Sequence, residues 1–162
     1  MIGEHRIALV ADVRSFPSSK RWPQFNQAEL SGSLERAGIE YRWIKRLGGR
    51  RSSKRVDSPH TAWQVPAFRS YADYTESADF DDGMDELTQA ATASRTACMC
   101  SEGLWWRCHR RIISDNLAVR GWAVEHIMPT GKMSPHVLAA FARVVEGRII
   151  YDGSEITQPR DG

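Results

Sequence analysis

The three cysteines of the chain lie close together, in the segment ACMCSEGLWWRCHRR at residues 97–111. Cys100 ends an apolar run, and Cys108 stands directly before His109. Thiolates and imidazoles act as nucleophiles, as acids and bases, or as metal ligands, and nearby arginines lower the pKa of a thiol. An odd number of cysteines packed into one segment does not make a disulfide framework. The segment therefore predicts a reactive or metal-binding site, in which Glu102 adds a carboxylate that could serve as a general base.

Charged side chains also stand at the end of the apolar run RIALVADV, where Asp12 and Arg14 are found. The connection that follows, SFPSSKRWPQFN, is rich in Pro and Ser and carries Lys20 and Arg21. Connections of this kind are typical of rigid loops at binding sites. We expect Asp12 to act as a general base or to orient a nucleophile, and the three basic residues to attract an anion.

Residues 42–55 contain seven basic residues and no acidic ones, with Trp43 among them. Arginines next to tryptophan can contact phosphate and stack on bases, so Arg50 and Arg51 are candidates for ligand binding. The alternative is that these charges are neutralised within the fold by residues 73–86, which carry seven acidic residues. The formal net charge of the chain is only +2, so any binding to a polyanion would depend on a local patch.

Hydrophobic periodicity predicts strands that alternate with helices. The predicted strands are RIALVADV, YRWIKRL, TACMC, WAVEHI and RIIY. The first predicted helix begins at a capping box at 26–29 and ends at Gly38. The second covers 80–94, with Asp82 as its cap. The third covers 108–120, and the fourth lies within SPHVLAAFARVVEG at 134–147. Residues 48–66 lack periodicity, which predicts a long loop.

This order of elements favours an α/β fold with a mainly parallel sheet and helices on both faces. Ligands bind such sheets outside the carboxyl ends of the strands. We therefore expect Asp12, Arg14 and the segment from Cys100 to Arg110 to line one crevice.

Length and composition predict one domain over residues 1–162, because 162 residues with 41% hydrophobic content can form one substantial core. The sequence has no apolar run of the roughly 18 residues that a membrane span needs, and its start lacks the pattern of a signal peptide. We expect a cytoplasmic protein that does not bind membranes, in a compartment that keeps its thiols reduced.

Three stretches carry a resemblance to a known family: ADVRSFPSS, LERAGIEYRWIKRLGG and CMCSEGLWWRCHRRIISDNLAVRGWAVEHI. In their order and spacing they are similar to the domain of unknown function 488 (DUF488) family, over roughly residues 8–127. The predicted C-terminal helix and strand at 134–152 follow this core. The resemblance implies a small bacterial or archaeal α/β protein with no settled activity. Its motif positions fall on Asp12, Arg14, Leu47 to Gly49, Cys100, Glu102, Cys108, His109 and Arg110.

The first functional hypothesis is an enzyme or ligand sensor whose crevice binds a phosphate-bearing, nucleotide or nucleic-acid ligand. Backbone N–H groups of residues 107–110, with the side chains of Arg107 and Arg110, would hold the anion at the start of a helix. The alternative is a non-enzymatic nucleic-acid-binding or adaptor module that uses the basic stretch 42–55 and needs the cysteines only for folding.

Two further alternatives use the cysteines directly. In one, the sequence is similar to rhodanese-type sulfurtransferases and cysteine phosphatases, with Cys100 as nucleophile and Arg107 or Arg110 as anion binder. In the other, Cys100, Cys108 and His109 bind zinc or iron, with His126 near the same crevice. The oligomeric state is left open.

Several other residues are expected to be structural. We predict that Cys98 is a small buried hydrophobe in its strand and that Trp63 anchors the core or a loop. His60 and His136 have no partner pattern, so we place them on the surface. His126 is expected to be hydrogen-bonded within the structure.

Overall fold

A computed structural model describes residues 3–154 of the chain. Its central sheet has three parallel strands, β1 (Leu9–Asp12), β2 (Glu40–Trp43) and β3 (Thr96–Met99), in the order β2-β1-β3. β1 is buried along its whole length, as a central strand with an apolar sequence should be. Asp12 pairs with Trp43 on one side and with Met99 on the other. The carboxyl ends of all three strands therefore lie side by side.

Four α-helices accompany the sheet: α1 (Gln27–Arg36), α2 (Pro66–Tyr74), α3 (Ala78–Ala93) and α4 (Arg110–Val119). α1 ends before Gly38, which adopts a left-handed conformation with φ 73° and confirms the predicted stop. α3 begins earlier than predicted, because Ser77 and not Asp82 accepts the capping hydrogen bond from the backbone of Phe80. α2 starts with a proline at its first turn, directly after the predicted loop, and was not predicted.

Apolar side chains from the two sides of β1 belong to two separate clusters. Leu9 and Ala11 pack into the larger one with residues of α3 and α4, such as Leu87 and Ile112. Val10, which points to the opposite side, packs into a smaller cluster with Leu34 of α1. Because successive side chains of β1 point to opposite sides, this strand packs against α3 and α4 through one cluster and against α1 through the other.

The helix predicted over 134–147 is wrong. Residues there form parts of two antiparallel hairpins, in which β4 (Glu125–Ile127) pairs with β5 (Met133–Pro135) and β6 (Arg143–Val145) pairs with β7 (Arg148–Ile150). Glu146 and Gly147 both have positive φ, at 50° and 78°, which is the backbone of a two-residue hairpin turn. The Ser-Pro pair that suggested a helix start stands instead in a short strand.

The fold is a mixture of helices and strands, as predicted. The sheet is parallel only in its three central strands, and strands β4 to β7 lie in antiparallel hairpins, so the expected mainly parallel sheet is smaller than predicted. Across residues 3–154 no helix combines the length and the apolar character needed to traverse a bilayer.

Candidate functional site

A crevice of about 1000 Å³ opens at the carboxyl ends of β1 and β3. Its lining includes Met99, Cys100, Cys108 and His109. The loop that follows β1 and the start of the loop after β2 supply other walls. This is the edge of a parallel sheet at which ligands bind.

Cys100, Cys108 and His109 form a cluster in which the two sulfur atoms and a ring nitrogen all lie within 4.8 Å of one another. The Cys108 Sγ lies 3.5 Å from His109 Nδ1. His109 Nε2 is 2.9 Å from the carbonyl oxygen of Val13, an atom that can only accept a hydrogen bond. His109 therefore donates through Nε2, and Nδ1 is the ring nitrogen that faces Cys108 Sγ.

The loop between the two thiols positions them. It contains a 3-10 turn at Trp105–Arg107, after which His109 occupies the N-cap position of α4. Cys108 and His109 thus lie just before the helix, not in its first turn as predicted. Arg110 spans the loop, because Nε donates to Cys108 Sγ at 3.4 Å and Nη2 donates to the backbone carbonyl of Glu102.

The two cluster thiols shift each other's pKa in opposite directions. A hydrogen bond from the Cys108 thiol lowers the pKa of Cys100, and His109 and the backbone N–H of Glu102 lower it further. The hydrogen bond to Cys100, together with burial, raises the pKa of Cys108. Cys98 differs from both, since burial raises its pKa to about 11 and it stays a thiol at neutral pH.

Gly49 packs against the imidazole of His109. A methyl group at this position would lie 2.3 Å from Nδ1 of the ring, so a larger residue would displace the histidine. Tyr71 also packs against this ring, with ring centroids 5.0 Å apart, and its hydroxyl donates to the carbonyl of Leu47. Tyr71 was not predicted as a site residue, because it lies on the unpredicted helix α2.

Asp12 and Arg14 form a buried ion pair next to the crevice. Arg14 Nε donates to both carboxylate oxygens of Asp12, at 2.9 and 3.0 Å, and the Tyr41 hydroxyl donates to the same carboxylate at 2.6 Å. Burial and the hydrogen bond to Asp12 raise the pKa of Tyr41. Arg14 Nη1 also donates to the carbonyl of Phe25, at 2.8 Å. The pair holds the loop after β1, and Arg14 contributes to the crevice lining while Asp12 is fully buried.

The basic residues predicted to bind an anion differ in their position relative to the crevice. Arg50 and Arg107 line the crevice. Lys20 and Arg21 are exposed, and they lie between two residues of its lining, Ser19 and Trp22.

Two of the backbone N–H groups proposed for anion binding are occupied within the loop. The amide of Arg107 donates to Leu104, and that of Cys108 donates to Trp105. Arg110 is held by the same loop, so it positions the cluster.

Part of the basic stretch is paired within the fold. Arg46 lies 3.9 Å from both Asp79 and Asp82, and Arg55 lies 2.8 Å from Glu76. Arg51 donates to backbone carbonyls and stacks on the ring of Tyr74 at 3.7 Å. These contacts agree with the alternative in which the charges of residues 42–55 are neutralised within the fold.

A second polar network lies behind the loop that separates the thiols. Asp115 is fully buried and accepts hydrogen bonds from His136 at 2.8 Å and from Tyr151 at 2.9 Å. His136 in turn is 2.8 Å from His126, which confirms that His126 is hydrogen-bonded within the structure. The surface placement predicted for His60 and His136 is wrong, because the side chains of both are almost fully buried.

The network could not be anticipated from spacing. His136 was assigned to a helix that does not form, and Asp115 occupies an ordinary position in α4. Trp63 belongs to the core as expected, with 6% of its surface exposed.

Fold and site together define an α/β protein with a thiol–imidazole cluster at the carboxyl edge of a parallel sheet. The sequence profile of the family described as "Domain of unknown function DUF488" matches residues 1–117, and the chain belongs to that family. Searches of curated proteins and of solved structures returned no match.

Proposed function

We propose that the protein is an enzyme that acts on a small phosphate-bearing ligand with a planar ring, such as a nucleotide, bound in the crevice above Cys100, Cys108 and His109. The observation that carries the proposal is that arginines and exposed aromatic rings line the same crevice as the cluster.

The aromatic part of the crevice is exposed to an unusual degree. Phe16, Trp22 and Phe25 are 64%, 52% and 44% exposed, and all three line the crevice together with Phe68. Exposed apolar surface gathered in one place is typical of a binding site. Rings of this kind can stack on a planar ligand.

The charge of the crevice favours an anion. Arg50 and Arg107 line it, and Arg50 is positioned by a contact with the ring of Phe16, 5.6 Å away. Within the described residues, the lining has one acidic side chain, that of Glu102. Serine hydroxyls at positions 15, 18, 19 and 101 add hydrogen-bond donors for phosphate oxygens.

Calorimetric titration tests the proposal with three probes: nucleoside monophosphates and diphosphates, the corresponding nucleosides, and inorganic phosphate. We expect the nucleotides to bind more tightly than either part alone. Replacing Arg107 or Arg50 with Ala should weaken nucleotide binding at least about tenfold, because a charge-assisted hydrogen bond is lost.

Arg36→Ala is the matched control, since it removes the same charge from the exposed end of α1. Equal losses from Arg107→Ala and Arg36→Ala would show only a general charge effect and would contradict the proposal. Lys20→Ala and Arg21→Ala measure whether these two exposed residues add to the attraction; unchanged affinity would remove them from the site.

A second candidate is a cysteine-nucleophile enzyme. The specific observation is the position of Cys100 in the crevice lining, with its sulfur within 4.8 Å of Cys108 Sγ and of a ring nitrogen of His109. Alkylation by iodoacetamide followed by peptide mass spectrometry tests it. Cys100 should react faster than Cys98 and should be protected by bound nucleotide. Equal rates for the two thiols would reject the nucleophile.

A further inference from the structure

The separation of the donor atoms in the cluster matches that of a tetrahedral metal site. Zinc binds sulfur at about 2.3 Å and nitrogen at about 2.0–2.1 Å, so tetrahedral angles place a sulfur and a nitrogen ligand about 3.6 Å apart. Cys108 Sγ and His109 Nδ1 are 3.5 Å apart, and all three donor atoms lie within 4.8 Å of one another. The three donors therefore need little movement to close around one ion.

The groups around the cluster are those that support metal ligands. His109 donates its other ring N–H to the carbonyl of Val13, which fixes the ring with Nδ1 toward the two sulfur atoms. Arg110 Nε donates to Cys108 Sγ at 3.4 Å. Hydrogen bonds of this kind stabilise thiolates, whether or not a cation is bound.

The cluster opens into the crevice. Cys108 is 3% exposed, whereas all three residues contribute to the lining of the crevice. A catalytic zinc site has three protein ligands and a fourth position for water or substrate, and two cysteines with one histidine are a known ligand set of that type. Here the fourth position would face the ligand that the crevice is proposed to bind.

We propose that Cys100, Cys108 and His109 form a three-ligand site for Zn²⁺, with its fourth coordination position directed into the crevice. The role of the ion rests on the proposed function, which this inference deepens. In the crevice the ion would polarise an oxygen atom of the ligand or activate a bound water. Binding itself rests only on the cluster.

Zinc binding displaces the protons that its ligands carry. Zn²⁺ forms two Zn–S bonds with thiolates and one Zn–N bond with Nδ1 of His109, so every proton that these three atoms hold in the metal-free protein passes to solvent. Calorimetry in buffers of different ionisation enthalpy counts the released protons.

The full-length protein, reduced and freed of metal with a chelator, is the material for the test. Titration with Zn²⁺ should show one equivalent bound. Titration with Co²⁺ should give a thiolate-to-cobalt charge-transfer band and the intense visible bands of a tetrahedral site. The spectrum reports sulfur ligation in the unmodified protein, so it needs no variant that might fail to fold.

Three ligand variants and one control assign the site. Cys100→Ser, Cys108→Ser and His109→Ala should each weaken Zn²⁺ binding at least about 100-fold, since losing a ligand costs at least as much as losing a supporting group. Cys98→Ala should bind as the wild type does, because Cys98 lies outside the cluster although it is only two residues from Cys100 in the chain. Circular dichroism verifies that each variant is folded.

Absence of stoichiometric binding in the wild type, a cobalt spectrum without a thiolate band, or full affinity in Cys108→Ser would each overturn the zinc site. Nucleotide titrations of the metal-free protein keep the two proposals apart. Nucleotide binding without zinc binding would leave the proposed ligand class standing and remove the metal, whereas zinc binding without any nucleotide affinity would do the reverse.

Discussion

The indole of Trp105 lies flat on the imidazole of His126, with ring centroids 3.7 Å apart and an angle of 1° between the planes. Trp105 belongs to the loop between the two cluster thiols, and His126 lies in β4, beyond the residues that the family profile matches. His126 is itself held by His136, and His136 by Asp115 of α4. The stack therefore connects the loop between the cluster thiols to the C-terminal hairpins. Through His136 and Asp115 it also connects this loop to α4.

Removal of the Trp105 ring should destabilise the protein. We expect Trp105→Ala to lower the free energy of unfolding by about 1–3 kcal/mol, because a partly buried aromatic contact is lost. Trp106→Ala is the matched control, since Trp106 is 39% exposed and meets Trp105 only edge to face. It should cost no more than about 1 kcal/mol. Urea denaturation measures both, and equal losses would show that the stack on His126 contributes nothing.

The stack also predicts a pH dependence of stability. Burial, the neighbouring His136 and the charge of Arg110 lower the pKa of His126 from 6.5 to about 4. Between these two values the unfolded chain binds a proton on this residue that the folded protein does not. The contribution of neutral His126 to the free energy of unfolding is therefore complete above pH 6.5 and is lost as the pH falls toward 4.

His126→Gln isolates this contribution, because the amide can still donate to His136 but does not titrate. We expect the loss of stability between pH 7 and pH 5 to be smaller in the variant than in the wild type, although the variant is less stable at pH 7. Urea denaturation at the two pH values gives both differences. The same loss in both proteins would show that His126 is not the titrating group.

The parts of the fold that could be predicted are those determined by residues close together in the sequence. The apolar run of β1, the left-handed glycine that ends α1 and the apolar spacing of α4 identify those elements directly. The predicted helix at 134–147 failed because Ser-Pro and the apolar residues after it also suit a short strand and a hairpin. The Glu-Gly pair at 146–147, between two runs of β-branched residues, was the signal that favoured the hairpin.

The candidate site likewise has a part that sequence rules could predict and a part that depends on tertiary contacts. The rule that ligands bind at the carboxyl ends of strands pointed to the segment in which Cys100, Cys108 and His109 lie within 4.8 Å of one another. No spacing rule could show that Tyr71 supports the His109 ring, since the two are joined only by tertiary packing. Nor could it show that Arg110 is held by the loop, because that depends on where the carbonyl of Glu102 points.

The buried ion pair predicts an unequal response to two substitutions. Arg14→Met leaves the fully buried carboxylate of Asp12 without its cation, so it should cost about 3–5 kcal/mol of the free energy of unfolding. Tyr41→Phe removes one hydrogen bond to the same carboxylate and should cost about 1–3 kcal/mol.

The double variant Asp12→Asn with Arg14→Met separates the ion pair from simple loss of packing. It should be less destabilised than the sum of the two single variants, because the charge left unpaired by Arg14→Met is absent. Additive losses in thermal or urea denaturation would mean that the two side chains stabilise the fold independently.

The contact between Gly49 and His109 predicts that a single methyl group disturbs the cluster. In Gly49→Ala the new carbon would lie 2.3 Å from Nδ1, so the ring must turn away from the sulfur atoms or the loop must shift. We expect at least a tenfold loss of Zn²⁺ affinity, as for other changes that misorient a metal ligand, together with a lower melting temperature. Gly103→Ala is the control within the same crevice region, because no atom outside its immediate chain neighbours lies within 4 Å of the added carbon. Competition with a chromophoric chelator measures the affinity and calorimetry the melting temperature. Wild-type values for Gly49→Ala would show that this glycine does not set the position of the histidine.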